Sequence, residues 1–414
     1  MNTDLSQIEK GRKLKDLAVL AYSGGLDTSV SVKWLQKEYN LSVITVTVDV
    51  GQRVDFKEIK DKAENLGVVK HYSIDGKDEF AEDYIIPAIK ANALYVGKYS
   101  LNSALSRPLI ASKLVEIAKK EGAKYVAHGC TGKGNDQVRF DVTIKSLAPE
   151  INIVAPVREW NLSRDEEIKF AESNGIPIPI SLDNPYSIDE NLWGRSVECG
   201  VLDIPEQEPP DDVYEWIKSP EKAPEKPQSL TVSFEGGTPT AIDGSHLKPA
   251  ELIMKLNKIA GDHGIGRIDH IEDRLVGIKS REVYECPAAT VLLDAHFDLE
   301  KMVLTRHEVQ FKHVVDTKWA NLVYMGLWMD PLKSDLDAFI NETQTRVSGY
   351  VKMKFYKGNS YIVSRSSPVS LYDYNLASYN KETSFNQAWS SGFIEIWGLP
   401  TKTAHIIKKK VKEN

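Results

Sequence analysis

From position 17 to about position 181 the chain alternates short apolar, β-rich runs with longer stretches of helical periodicity. That order is produced by a parallel sheet whose strands are joined by helices. Four runs are clear, at 17–22, 43–50, 125–128 and 151–155, and a weaker fifth spans 70–74. The nearly continuous Val and Ile of 43–48, broken by Thr45 and Thr47, suits a strand covered on both faces. Helix limits are legible too. Pro108 opens a stretch over 109–121 that Gly122 closes, following the preference for Pro in the first turn and Gly just past the last. Ser163 and Glu166 form a capping box ahead of Ile168 and Phe170, predicting a helix that runs to Ser173 and stops near Gly175.

The pattern then changes. Six prolines lie between Pro205 and Pro227 among acidic and polar residues, too many for a helix or central strand, so an extended surface crossing is expected. Beyond it come an apolar run at 230–234, a Gly236-Gly237 turn and a helix from about Pro249 to Ala260. The alternating stretch of Val347 and 350–355 follows, and Lys357-Gly358-Asn359 turns a hairpin into 361–363. Residues 404–412 carry the pattern of a terminal helix. The expected fold class is α/β: a doubly wound parallel sheet, then an α+β domain and a C-terminal helical arm.

Composition narrows the function classes. A chain of 414 residues, 42% hydrophobic and 27% charged, can bury two domains plus a tail and falls outside the disordered and fibrous classes. Residues 1–16 hold no apolar h-region and no window reaches 18 uninterrupted apolar residues, so a cytoplasmic protein with no membrane partner is expected. The formal net charge of -7 argues against a nucleic-acid partner and favours small-molecule substrates; the basic cluster at 408–412 reads as a solvated helix end. Cys130, Cys199 and Cys286 are far apart with no CxxC spacing, and the nine histidines form no HExxH, so neither disulfides nor a zinc site are supported.

Ser23-Gly24-Gly25-Leu26-Asp27-Thr28-Ser29 follows the first strand and opens the helix carrying Val30, Trp34 and Leu35. Glycines there permit a tight turn and close approach of a ligand, and free N–H groups at a helix start favour an anion. Ser23, Thr28 and Ser29 add hydroxyl donors. The loop has no lysine and does not fit GxxxxGK[ST], so its phosphate chemistry differs from that of a Walker loop. The bland alternative is a strand-to-helix turn in which Asp27 or Thr28 only caps the helix.

A second glycine-rich loop, His128-Gly129-Cys130-Thr131-Gly132-Lys133-Gly134-Asn135-Asp136-Gln137-Val138-Arg139-Phe140, follows the 125–128 strand. It reads as another anion-binding nest, with Lys133 and Arg139 available for carboxylates. In doubly wound sheets ligands bind beyond the carboxyl ends of strands at the switch point, so the two loops are expected to face one crevice.

SGGLDTS resembles the pyrophosphate-binding loop of N-type ATP pyrophosphatases, which cleave ATP between the α and β phosphates. HGCTGKGNDQVRF resembles the signature of argininosuccinate synthases within that superfamily. The blocks at 93–95 through Arg107-Pro108, 184–192, 264–269 and 277–285 are similar to the same family, and the similarity covers nearly the whole chain after Leu17. The resemblance implies ATP contacts at Ala21, Tyr22, Ser23, Gly24, Gly25, Leu26, Asp27, Thr28, Ser29, Val48 and Gly129. It implies aspartate contacts at Thr131, Asn135 and Asp136, and citrulline contacts at Tyr99, Ser103 or Ala104, Asn135, Arg139, Ser187, Ser196, Glu272 and Tyr284. Catalysis would involve no covalent residue, only positioning by Ser23, Asp27, Thr28 and Ser29. ATP would be the co-substrate, with Mg²⁺ neutralising the leaving pyrophosphate and Asp27 a candidate for holding the ion or its waters; the metal ligands stay open. The resemblance also implies a homotetramer with the C-terminal segment reaching over neighbouring subunits, and it divides the chain into a leader at 1–16, a nucleotide-binding domain at 17–182, a synthetase domain at 183–375 and an oligomerisation arm at 376–414.

Departures fall outside the two phosphate blocks. Asn102-Ser103-Ala104 replaces the family's more usual Gly-Thr-Ser, so a citrulline contact there falls to the backbone of Ala104 or to Ser103. Val48 stands where Ala is usual, and Trp193-Gly194-Arg195 also differs. Each single residue has a plainer reading: Arg139 in a structural ion pair, Glu272 a solvated charge near Arg274, Tyr99 and Tyr284 as core aromatics. The resemblance implies an ATP-consuming ligase that joins citrulline to aspartate and releases AMP and pyrophosphate, and two other functions compete with it. A tRNA-thiolating pyrophosphatase would want paired cysteines and a basic face, and a non-catalytic ATP-binding protein would not need the GKGND block.

Overall fold

The computed structural model describes residues 15–160, 162, 164–177, 185–380 and 383–413. The leader before residue 15, the Ser163 cap and the expected boundary at 182–183 lie outside them.

Five strands, β1 (Leu17–Ala21), β2 (Ser42–Asp49), β3 (Lys70–Asp75), β4 (Tyr125–Ala127) and β5 (Asn152–Val154), form a parallel sheet in the order β3-β2-β1-β4-β5. Alternate residues go to opposite faces, and both faces are covered. Val19, Ile44 and Val46 join a core with Leu109 and Leu114, whereas Ala18, Leu20 and Val43 join a second core with Val30, Leu35, Ile59 and Ala171. The strand order reverses between β1 and β4, which places the crevice at their carboxyl ends.

The helix expected to open at Pro108 opens earlier, spanning Asn102–Glu121 with Pro108 inside it. At the seventh position of the helix Pro108 removes the N–H that would bond the Ala104 carbonyl and crowds that carbonyl, a cost offset by burial of residues 102–106. Gly122 does close the helix, at φ +68°. The helix Arg164–Ser173 and the left-handed Gly175 stand where the sequence puts them.

The chain continues through β6 (Ser187–Asn191), β7 (Gly194–Glu198), β8 (Gln228–Glu235), β9 (Thr238–Ile242), β10 (Ser245–His246), β11 (Arg267–Asp273), β12 (Lys279–Glu285), β13 (Gly349–Tyr356) and β14 (Asn359–Ser366). These build two antiparallel sheets, β11-β12-β7-β6 and β10-β9-β8-β13-β14. Helices Pro249–Asp262, Pro287–Val303, Arg306–Tyr324 and Pro331–Gln344 pack beside them. The proline-rich crossing is a run of turns and bends with one short 3₁₀ turn, Asp211–Val213, and it is not merely superficial: Val213, Ile217 and Ala223 are buried. The fully buried Glu285 carboxylate pins it, accepting the N–H groups of Glu215, Trp216 and Ile217 at 3.1, 2.8 and 2.9 Å and Arg195 Nη1 at 2.7 Å. Four donors satisfy a charge that burial would otherwise make costly.

Residues up to Pro368 form one compact unit and those from Val369 a second. The second contains helices Tyr374–Ala377 and Ala388–Glu413. The terminal helix is therefore longer than the expected 404–412. It runs through Pro400, and its start is carried by aromatics four residues apart, with Phe393 and Trp397 stacked at 5.4 Å. Among the described residues no helix is long and apolar enough to cross a membrane.

Candidate active site

The first loop leaves β1 and enters the helix Leu26–Glu38, whose N-cap is Gly25 with no side-chain cap bond. Asp27 and Thr28 lie inside the first turn, which corrects the capping alternative. Gly24 is left-handed at φ +78°, and a Cβ there would meet Ile59 Cγ1 at 3.0 Å, so only glycine fits. Ser23 Oγ takes the Gly25 N–H at 3.3 Å and lies 3.2 Å from Thr28 Oγ1, which donates to Gly25 O at 3.2 Å. These bonds hold the turn open around the N–H groups of the first helical residues, the geometry that attracts a phosphate. Ser29 and Tyr22 are buried with their hydroxyls 3.1 Å apart, below the exposed Ser23 and Gly25. Ala21 is half-buried at the end of β1. Val48 sits at the end of β2 with its side chain in the core, and its carbonyl accepts from Gln52.

The second loop leaves β4 directly beside the first. A Cβ on Gly129 would lie 3.1 Å from Thr28 Cγ2, so the two loops are in van der Waals contact. His128 receives the Cys130 N–H on Nδ1 at 3.2 Å, which assigns its proton to Nε2 and to Asp141 Oδ1 at 2.8 Å. This braces the loop at its root. Thr131 and Lys133 are exposed at its tip. Asp136 begins the helix Asp136–Leu147 and is gripped by Arg107 Nε at 2.8 Å and Arg139 Nη1 at 2.8 Å. Burial works against ionisation there, but the two guanidinium groups hold the Asp136 carboxyl below the ordinary carboxylate range.

Ser187, Ser196, Glu272 and Tyr284 come from four different strands, and strand register unites them. In the β6-β7-β12-β11 sheet Ser187 pairs with Glu198, Asp189 with Ser196, Ser196 with Tyr284, Ile268 with Tyr284 and Glu272 with Ser280. Side chains alternate between faces, so all four candidates share one face, while Val197 and Val283 point into a separate core on the other. Tyr284 and Glu272 are buried, and the Tyr284 hydroxyl meets Glu272 Oε1 at 3.2 Å. Tyr99, also buried, stacks on Tyr284 at 4.5 Å, and its hydroxyl accepts the Ser103 N–H at 3.1 Å.

Residues 102–104 lie at the start of their helix, against this sheet face. Ser103 Oγ donates to Asp189 Oδ2 at 2.5 Å, and Ala104 has its methyl fully buried in the core. Asn135 and Arg139 are buried and both bound to Tyr324. The Tyr324 hydroxyl takes Asn135 Nδ2 at 2.9 Å, and its carbonyl takes Arg139 Nε and Nη2 at 3.1 Å each. Leu275 N–H meets Asn135 Oδ1 at 2.8 Å. The plainer reading of Arg139, a structural ion pair, is thus part of what is seen.

Several lining side chains escaped the sequence reading. Tyr324 ends a helix and stacks on Tyr95 at 3.5 Å; nothing in the helical pattern marks it. Arg107 bridges Asp136 and Asp189 at 2.7 and 2.8 Å. Asp189, Glu198 and Glu282 share the face of Ser187, Ser196 and Tyr284, two residues from each, and strict alternation would have found them. Burial, then the neighbouring Glu282, raises Glu198 to about 7 even with Arg274 at 2.5 Å, and burial, then Glu272, raises Glu282 to about 8. Among the described residues no group of three His, Cys, Asp or Glu side chains is arranged to hold a metal ion.

Residues 17–177 match the arginosuccinate synthase N-terminal HUP domain and residues 186–404 the arginosuccinate synthase C-terminal domain. The chain is 57% identical over 387 residues to an argininosuccinate synthase of Pyrococcus furiosus, covering 94% of each chain. It is 57% identical over 388 residues to that of Oceanobacillus iheyensis, covering 94% of this chain and 93% of the other. It is 54% identical over 392 residues to that of Bacillus subtilis, covering 95% and 97%. With both domains matched in order and identity above half along nearly its whole length, the chain belongs to the argininosuccinate synthase family.

Proposed function

We propose that this chain is an ATP-consuming ligase that joins citrulline to aspartate and releases AMP and pyrophosphate. The observation that carries the reading is the contact of the Gly129 loop with Thr28 at the mouth of a sheet face bearing Ser187, Ser196, Glu272 and Tyr284. The citrulline ureido oxygen attacks the α-phosphorus of ATP, and the bond to the departing pyrophosphate breaks. The aspartate amine then attacks the ureido carbon and AMP leaves with the oxygen that had joined it to carbon.

No protein nucleophile is required, and catalysis comes from positioning and from stabilising phosphate charge. The 23–29 loop takes the pyrophosphate on its hydroxyls and helix N–H groups. Thr131, Asn135 and Asp136 hold aspartate, Asp136 facing its ammonium. Tyr99, Asn135, Arg139, Ser187, Ser196, Glu272 and Tyr284 hold citrulline, with Glu272 on the α-ammonium. Mg²⁺ neutralises phosphate charge when bound. The residues fit an ion carried mainly by phosphate oxygens and water, with Asp27 as the loop's carboxylate. Functionally we divide the chain at 17–182, 183–375 and 376–414, place it in the cytoplasm, and assign it a homotetramer whose arm is the C-terminal segment. Burial raises the thiols of Cys130, Cys199 and Cys286, which disfavours a thiol-transfer reading.

Incubation with ATP, citrulline and labelled aspartate tests the proposal. AMP and argininosuccinate should appear together, and arginine, which has no ureido oxygen, should not replace citrulline. Steady formation of ADP would overturn it.

A further inference from the structure

The face carrying Ser187, Ser196, Glu272 and Tyr284 holds more carboxylate than one amino-acid ammonium can neutralise. Glu272 and Glu282 both receive the Tyr284 hydroxyl within reach, at 3.2 and 3.1 Å. Continuing the β7-β12 register by one residue sets Glu282 beside Glu198. Glu272 is 97% buried by its 3% exposure, and its Oε2 has no donor partner among the described residues. Besides the Tyr284 and Tyr324 hydroxyls, the carboxyl of Glu282 lies against Glu272. Two carboxylate oxygens cannot bond each other unless a proton lies between them.

The two cations that act on this pair from nearby, Arg139 and Arg274, are each already held by another carboxylate. Arg274, beyond the end of β11, is taken by Glu198, and Arg139 is taken by Asp136 and the Tyr324 carbonyl. His270, directly across from Glu282 on β11, is pushed down by burial and then by Lys98, so it stays neutral near pH 7. Tyr99, Tyr284 and Tyr324 are all raised, chiefly by burial, and remain neutral.

We propose that Glu272 and Glu282 hold one proton between them in the free protein, and that the cationic α-ammonium of citrulline displaces it to solvent on binding. Glu282 is then a positioning residue that acts through Glu272: it keeps the empty site close to neutral and is ionised once the ammonium arrives. The inference rests on the citrulline reading above and extends it to a residue which that reading does not use. The direction in pH follows. Below about 8, where Glu282 retains its proton in the free protein, binding must release it, so affinity rises with pH. Above that value the proton has already gone, and affinity levels off.

The test is isothermal calorimetry of citrulline binding to the full chain in phosphate and in Tris, whose ionisation heats differ. At pH 7 the wild type should release close to one proton per citrulline and near zero at pH 9, and its affinity should rise up to about tenfold from pH 6 to pH 7. Glu282→Gln keeps an acceptor for Tyr284 but has no proton to lose; its release should vanish and its pH profile should flatten. No proton release by the wild type at pH 7, or undiminished release by the folded variant, would overturn the inference. Should the variant fail to fold, the wild-type comparison of pH 7 with pH 9 decides by itself. Failure of citrulline to bind, with no AMP formed from the full substrate set, would instead remove the function proposed above and this inference with it. Citrulline binding without proton release removes the inference alone.

Discussion

The contact between the two glycine-rich loops can be probed by adding one methyl and removing another. Gly129 has an ordinary backbone, so Gly129→Ala introduces no dihedral strain; its new Cβ would sit 3.1 Å from Thr28 Cγ2, well inside the roughly 3.5–4.0 Å of a relaxed carbon contact. Overpacking of that kind costs about 1–3 kcal/mol. Thr28 is tied to Ser23 and to Gly25 O, so the cost falls on the phosphate loop itself. The expected result is a rise of about 5- to 150-fold in the KM for ATP, with a much smaller change for citrulline. Thr28→Ser removes the methyl in the way while keeping the hydroxyl bonded to Gly25 O. The double substitution should therefore recover most of the loss, giving a coupling of about 1 kcal/mol or more in a double-mutant cycle on kcat/KM for ATP. Additive effects, within about 0.5 kcal/mol, would show that the loops do not touch in the way described.

Other perturbations follow from the same geometry. Tyr324→Phe leaves the buried Asn135 amide without its 2.9 Å partner while the ring can keep its stack on Tyr95, so it should destabilise by about 1–3 kcal/mol in chemical denaturation and raise the citrulline KM; unchanged binding would argue against Asn135 as a ligand. Gly326→Ala should cost more in melting temperature than Gly122→Ala, because both glycines are left-handed but only the Gly326 Cβ would strike Arg139, at 2.9 Å from its Cα; equal losses would refute the close approach. Asp316 is raised to about 7, by burial first and despite Lys312, so the folded state binds this proton more tightly than the unfolded chain. Its contribution to stability therefore falls as pH rises from about 4 to 7, and Asp316→Asn should flatten that part of the melting-temperature profile; an unaltered slope would show that another group dominates.

What could be read in the sequence follows from how local the signal is. The β1 and β2 runs and the first glycine loop are consecutive residues whose chemistry is complete in one segment, and they stand where the pattern puts them. The same holds for the hairpin at Lys357-Gly358. Pro108 misled because propensity is local while the burial of residues 102–106 is tertiary. Glu198 and Glu282 lie in strands so rich in charge, such as Lys279–Glu285, that apolar patterning does not mark their inward face, and only counting by twos from Ser196 and Tyr284 reaches them. Tyr324 could not be found at all from the chain alone, since its role comes from Asn135 and Arg139, far away in sequence and joined only by the fold.

The central claim, that citrulline oxygen attacks ATP at the α-phosphorus, is tested most directly by following that atom. With ATP, aspartate and citrulline carrying ¹⁸O in the ureido group, mass spectrometry of the products should find the label in AMP and none in pyrophosphate. AMP free of label, or ADP in its place, would contradict the account.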